Sequence, residues 1–423
     1  MANGFNKEEV VAFEQLLEGF QDALILSKHI STFKSDAQTM ERALNTIWRP
    51  QPYISLSYPG TDMTANFTDY TQLAVPATLG FARSVPWVLT ATELRDALQE
   101  GRLLSSAKQK LASDINRAIV NVASLQGSLV VKRSTAAAGF DDIAQCDAIF
   151  NEQGVQFEER CIGLSTRDYN GMASNLAARA FLSPGRVDTA YDRAYIGQVA
   201  SFDAFKVDYA QRFTAALGVG VTINGANQFY TPKAYSTATT GENQNVDNRF
   251  QNVAITVTSG AVAVGDAFTV ANVNAVHHIT KQDTGILKTF RIVGIISGNG
   301  GTGTVTITPP FISGGGASAA ELEYQNILST PANGAALTFL NTAAAAWNPF
   351  WQRDAIELLP GRYAVPTDAG TAVMRASTDQ GVELVWQKWY DINTMKTKYR
   401  VDTLYGVVNK QPEMSGVMIF SQP

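Results

Sequence analysis

The side chains able to do chemistry are few, and their spacing argues against catalysis. The chain has three histidines in 423 residues, His29, His277 and His278. Neighbouring strand residues point to opposite faces, so one metal ion could hardly use both members of the His277-His278 pair. No HExxH or cysteine-rich spacing accompanies them. Cys146 and Cys161 lack a second pair, so neither a disulfide framework nor a CxxC site is offered, and a reducing compartment fits them best.

"GNGGTG" (Gly298–Gly303) has the spacing of a dinucleotide loop, but it leads into the strand-like "TVTIT". A pyrophosphate loop must open a helix, so the segment reads as a hairpin turn. "GLSTR" (Gly163–Arg167) lacks the last glycine of a nucleophile elbow, and the GK of a P-loop never occurs. Asp141-Asp142 and Glu158-Glu159 read as solvated faces, because cooperating carboxylates come from spatial neighbours rather than sequence neighbours. The strip Trp386, Lys388, Trp389, Tyr390, Lys396, Lys398, Tyr399, Arg400 interleaves aromatics with bases. A single-strand nucleic-acid binder would show that pattern, and so would a core sheet with snorkelling bases. No catalytic, metal or cofactor set emerges.

The composition is globular: 45% hydrophobic, 17% charged, with a formal net charge of −5. That sign gives no long-range attraction to nucleic acid or to an anionic membrane. The length calls for two or three domains. "MANGFNKEEVVAFEQLLEGF" places carboxylates where a secretory signal would carry bases, and it reads as mature sequence. The longest uncharged run, Gly294–Ala320, is broken by glycine and proline and is too polar to span a bilayer.

Several elements follow from periodicity. Val10, Phe13, Leu17, Phe20 and Leu24 form one stripe of an amphipathic helix, which needs either its own domain or a neighbouring subunit to cover it. Residues 51–89, with a Pro59-Gly60 turn, read as an extended hairpin-like excursion. Thr90 or Thr92 caps a helix with Glu93 in its first turn. From Leu104 the apolar positions run Ala107, Leu111, Ile115, Ala118, Val122, Leu125 and Leu129, after a bend at Gly101. "STRDYNGMASNLAARA" (Ser165–Ala180) is a further helix, capped by Thr166 or Asp168. From Val221 to about Ala345 the chain alternates as β-strands joined by glycine-rich turns, which suits a small inserted barrel or sandwich. Mixed strands with large aromatics follow and complete the interrupted domain.

Helical arm, long hairpin, long helix, mixed domain, β-insertion and return succeed one another in an order that resembles the major capsid protein of short-tailed temperate double-stranded DNA bacteriophages. The resemblance runs close to full length. It is carried by "NTIW" (Asn45–Trp48), "LRD" (Leu94–Asp96), "KLA" (Lys110–Ala112), "GSLV" (Gly127–Val130), "QVASFD" (Gln198–Asp203), "NVDNRF" (Asn245–Phe250), "FWQRDAI" (Phe350–Ile356) and "LYGV" (Leu404–Val407). It implies an α+β fold of the Hong Kong type with an inserted all-β barrel. The implied parts are an N-terminal arm (1–35), a link (36–51), an E-loop (52–85), the P-domain spine helix (86–133), a first A/P-domain part (134–221), the inserted barrel (222–345) and a second A/P-domain part (346–423).

The same resemblance implies a structural protein that assembles with itself into pentamers and hexamers of an icosahedral head. Scaffolding and portal proteins are its implied partners, and it encloses double-stranded DNA without reading its sequence. No cofactor and no membrane are called for. Assembly would occur in the bacterial host cytoplasm and the product would be the virion. Contact with neighbouring subunits would fall to Glu242, Asp247, Asn248 and Arg249 in the loop before the first long barrel strand, and to Tyr58 and Asp62 in the E-loop. Two other readings stay open: a non-viral nanocompartment shell subunit of the same fold, and a phage carbohydrate-binding β-protein.

Overall fold

The computed structural model describes residues 5, 7–34, 45–52, 54–64, 67, 69–93, 97–177, 196–208, 210–365 and 370–423. Leu94–Asp96 and the expected end of a helix at Ala178–Ala180 lie outside them. The principal helices are α1 (Lys7–Ala23), α2 (Ala97–Gln126), α3 (Phe140–Gln153) and α4 (Thr166–Ala177). The chain forms two compact units. One takes Met1–Ile47, Ala77–Ile119 and Ile356–Val408, and the other Trp48–Pro76, Val120–Ala355 and Asn409–Pro423.

The first unit is built on a sheet in the order Ser31–Thr32, Ile356–Pro360, Lys396–Asn409, Glu383–Asp391, Ala372–Ser377, with Phe81–Thr90 also paired to Lys396–Asn409. Helix α1 lies on this sheet. Phe13 stacks on Trp386 at 5.9 Å, and Glu9 meets Lys388 Nζ at 2.6 Å. The buried stripe is Glu9, Phe13, Leu16, Phe20 and Leu24. Leu16 therefore replaces the expected Leu17, which is half-buried, and Val10 is 39% exposed. The rotation accompanies the Glu9–Lys388 pair, which places the Glu9 carboxylate on the sheet side and turns Val10 outward. The arm's buried stripe is thus covered by the chain's own sheet, while Val10 and Val11 are exposed.

Thr90 and Glu93 exchange bonds as a capping box: Thr90 N–H donates to Glu93 Oε2 at 2.8 Å and Glu93 N–H to Thr90 Oγ1 at 3.4 Å. Helix α2 runs through Gly101 without the expected break. The energetic preference against glycine is only about 1 kcal/mol, and 30 residues of helix absorb it. Leu104, Ala107, Leu111, Ile115 and Ala118 are buried as expected, but the stripe then drifts to Ile119 and Ala123. Leu129 belongs to a strand, Leu129–Lys132, because Gly127 ends the helix against Gly416.

In the second unit a mixed sheet runs Leu129–Lys132, Ser415–Ile419, Ala345–Gln352, Arg160–Ser165, Phe202–Val207, Gln198–Val199. Helices α3 and α4 contribute Ile143, Phe150, Tyr169 and Met172 to its core. Ser165 caps α4, accepting from Asp168 N–H at 3.3 Å, where Thr166 or Asp168 was expected. Asp142 is also unlike its expectation: it is fully buried and accepts from Ala138 N–H, Gly139 N–H and Arg133 Nε, so it caps α3 and faces no solvent.

The chain leaves this sheet at Phe213 and returns at Ala345, and these two residues are paired across strands. Between them six strands run in the order Thr222–Ile223, Gln251–Val257, Gly301–Thr308, Asp283–Ser297, Ala267–Val276, Leu337–Phe339. Thr222 bridges Ala336, and Leu337 N–H donates to Val221 O at 2.9 Å, so the last strand meets the first and the barrel closes. Its interior is Val253, Ile255, Phe268, Phe290, Ile292, Val305, Ile307 and Phe311 among others. "GNGGTG" is the hairpin turn between Asp283–Ser297 and Gly301–Thr308, with Gly298 at φ +55° and Gly301 at +85°.

Arg291, on the barrel's longest strand, is fully buried. It donates to Ser124 O at 2.7 Å and Gly127 O at 3.3 Å, the orphan carbonyls at the end of α2, and lies over the Trp347 ring at 4.0 Å. Burial pushes its pKa down to about 9, which leaves it protonated at neutral pH. Arg291→Met is expected to cost about 2–4 kcal/mol through the lost charged hydrogen bonds and ring contact, with Arg291→Lys in between. Urea unfolding of the soluble chain reads this; a midpoint equal to the parent's would contradict the anchoring role.

Candidate functional site

The surface candidates divide into two classes once their hydrogen bonds are traced. Strands Tyr235–Thr237 and Asn243–Asn245 form a two-stranded hairpin, exposed throughout, whose turn is closed by Ala238 N–H to Glu242 O at 2.8 Å and Gly241 N–H to Ala238 O at 2.9 Å. Glu242 projects from it into solvent. Tyr58 and Asp62 are also exposed, in the segment after Pro52. Asp62 accepts from Thr64 Oγ1 at 2.6 Å and Thr64 N–H at 3.1 Å, which hold its carboxyl below the usual range.

Asp247, Asn248 and Arg249 behave differently. Asn248 and Arg249 are buried. Arg249 Nη2 meets Asp247 Oδ2 at 2.6 Å, its Nε meets Oδ1 at 2.9 Å, and its Nη1 donates to Asn409 O at 2.8 Å. Asn248 donates to Lys233 O at 2.8 Å and accepts from Tyr230 Oη at 3.0 Å. These three residues, expected to face a neighbouring subunit, are bonded within the chain and fix the entry into the first long barrel strand. The physical reason is local: Asp247 accepts from the N–H of Arg249 two residues on, which turns the guanidinium back over its own chain.

The aromatic and basic strip splits between two faces of one hairpin, Glu383–Asp391 paired with Lys396–Asn409. Trp386, Tyr399 and Lys388 face α1, where Trp386 and Tyr399 are buried. Trp389, Lys398 and Arg400 face outward with Pro86 and Val88 of the neighbouring strand. Lys398 Nζ lies 5.0 Å from the centre of the Trp389 ring. Together these residues line an open groove of about 330 Å³. A strand's alternation produces the split, and a continuous stacking platform for bases does not form.

Other candidates resolve into structural roles. Glu159 pairs with Arg353. His277 Nδ1 accepts from Ile279 and Thr280 N–H, both at 3.2 Å. His278 Nε2 and Lys288 Nζ approach Glu413 at 3.2 and 2.6 Å. Burial would raise the Glu413 pKa, but these two neighbours outweigh it and hold the carboxyl far below its ordinary range. Cys146 and Cys161 are free and buried, and burial pushes the Cys161 thiol up to about 12, which leaves it unreactive. Arg291, Lys288 and Glu413 were not legible as sites, because a lone charge in a strand pattern signals solvent. The one available signal was an arginine among apolar neighbours in "KTFRIVGII".

Arg249→Ala and Asp247→Ala are therefore expected to destabilise the unassembled chain by about 1–3 kcal/mol each, with strong coupling in the double variant. Thermal melts check this, and melts unchanged from the parent would return the pair to the surface contacts.

Residues 1–421 match the model of a family described as P22 coat protein, gene protein 5. Among solved structures, one of Mycobacterium phage Che8 is 8% identical, covers 93% of this chain and 90% of its own, and has a TM-score of 0.45. The head structure of Helicobacter pylori bacteriophage KHP40 is 11% identical over 93% of this chain and 88% of its own, with a TM-score of 0.40. The CUS-3 coat protein I-domain is 39% identical over 29% of this chain and 95% of its own, with a TM-score of 0.23. The match over almost every residue shows that the chain belongs to the P22 coat protein family: a phage major capsid protein with the α+β capsid fold, a structural virion component and not an enzyme, which assembles with itself into an icosahedral head shell.

Proposed function

We propose that the subunit builds pentamers and hexamers and that its two exposed, self-contained projections make the contacts between copies. One is the hairpin carrying Glu242, and the other is the loop carrying Tyr58 and Asp62, at the tip of an E-loop spanning 52–85. The observation that supports this is contrast. The nearby charges Asp247 and Arg249 are used up inside the chain, whereas Glu242 and Asp62 face solvent on backbones fixed by their own hydrogen bonds. A solvent-facing carboxylate held by its own turn is a recognition element that needs little further ordering when it binds.

The stretch from Gln51 to Ala82 contains Asp62 and Asp69 and no lysine or arginine. It is complementary to the groove lined by Trp389 and the exposed Lys398, in which Arg400 is already paired with Asp402; that groove is its proposed seat on a second copy. In the same reading, scaffolding and portal proteins complete the head, assembly takes place in the bacterial cytoplasm, and double-stranded DNA is enclosed without sequence-specific contact. A chain of net charge −5 suits a wall against which the genome slides.

The test is assembly of the overexpressed chain, with and without other phage proteins, followed by electron microscopy and sedimentation. Glu242→Lys and Asp62→Lys are expected to leave the melt of the free subunit within about 0.5 kcal/mol of the parent, since both sites are exposed. Closed shells should be fewer and more sensitive to salt, because partly exposed pairs are screened over about 8 Å at physiological ionic strength. Normal shells from both variants would overturn the assignment of these projections.

A further inference from the structure

The barrel carries an exposed apolar patch at each end, and the two patches are built from different residues. At one end Leu217, Val219, Val264, Ile295 and Ile296 are exposed, Leu217 by 69% and Ile296 by 59%. Close backbone contacts bring the segment of Leu217 and Val219 and the Ser259-Gly260 turn against the Asn299-Gly300 turn, beside the strand end that carries Ile295 and Ile296. A Cβ on Gly260 would meet Leu217 O, and one on Gly300 would meet Gly260 O. Val262 N–H donates to Asn299 O, and Val219 N–H to Ser259 O, both at 2.8 Å.

At the other end Ile279, Ile286, Leu287 and Leu328 are exposed. Leu287 is paired with Asn274, whose carbonyl accepts from Leu328 N–H at 3.0 Å, so Leu287 and Leu328 flank the same residue, with Ile286 next along the strand. Ile286 and Ile296 stand on the same strand, Asp283–Ser297, about 30 Å apart at the rise of an extended chain.

Two unlike patches at opposite ends of one rigid body are what a head-to-tail contact requires: the front of each copy meets the back of the next, and a closing rotation turns the series into a ring. We propose that the Ile295-Ile296 rim of one barrel docks on the Ile286-Leu287 end of the barrel in a second copy, around each capsomer. This rests on the ring-forming reading above. The size of the patches supports the choice of occupant. Each offers on the order of 400 Å² of apolar surface, typical of functional patches on a monomer. That is well short of the roughly 800 Å² per partner of a standard stable interface. Two barrels alone would not hold together, but every copy in a closed ring uses both ends at once, and the shell's remaining contacts hold the neighbours in place. The free subunit therefore stays unassociated through these patches, and the contact forms only in the capsomer.

Charge exchange in the full-length chain tests the geometry. Ile296→Glu and Leu287→Lys, each alone, are expected to leave the melt of the soluble subunit unchanged and to reduce the yield of closed shells about tenfold. Combined, they place a carboxylate against an ammonium across the interface, so shells are expected to recover at low salt and to fail again at high salt. Ile296→Gln and Leu287→Gln serve where a charged variant folds poorly, with a smaller loss expected. Single variants that assemble like the parent would overturn the proposal. So would single variants that block assembly without rescue in the pair, which would mean that the patches meet another part of the neighbour or a different protein. Closed shells from the parent keep the capsomer reading standing whichever way the variants behave, and a parent that forms none under the same conditions removes both.

Discussion

A guanidinium with no route to water joins the barrel to the end of the long helix. Arg291 faces the end of a 30-residue helix, where carbonyls without intrahelical partners concentrate the negative end of the dipole, and it satisfies two of them while its plane covers Trp347. Desolvating such a group is costly, and the cost is offset only if helix end, barrel strand and indole are all in place. Lys288 with Glu413, and Arg249 with Asn409, repeat the device on the side of the C-terminal segment. The barrel is thus fixed to its unit by charges whose partners exist only in the folded arrangement, which gives a specific seat that apolar contacts alone would leave free to slide.

This explains which parts of the fold were legible in the sequence. Period-two alternation from Gln251 to Thr308 and the apolar stripe of Leu104 to Ala118 report burial directly, since water excludes those side chains whatever the partner. The closing of the barrel by Val221 and Leu337, and the pairing of Phe213 with Ala345, join residues more than a hundred positions apart, and no local pattern encodes them. Charged residues misled in the same direction each time. Asp142 reads from the sequence as solvent-facing and Arg249 as contact-forming, yet each is buried with a partner inside the chain. A one-dimensional pattern shows the charge and not the opposite charge that neutralises it.

The surface candidates show the same division. Tyr58, Asp62 and Glu242 are exposed, as the turn-forming residues around them suggest, whereas their contact role comes from the resemblance alone. The aromatic strip could not be resolved from composition, because its meaning depends on which of two sheet faces each residue takes. Alternation sends Trp386 and Tyr399 beneath α1 and leaves Trp389 and Lys398 outside. For a shell protein this matters more than any single contact, since chemistry is replaced by the shape and charge of surfaces repeated at every symmetry-related position.

The pairing of Phe213 with Ala345 also bears on how such a chain could have been assembled over evolutionary time. Because the barrel's two connections leave and re-enter the sheet on adjacent, paired strands, a coding segment for a closed β-domain could be spliced in or lost there while the sheet keeps its order. The insertion is thus separable at its two connections and inseparable at its wall, where Arg291, Lys288 and Arg249 each depend on a partner outside the barrel.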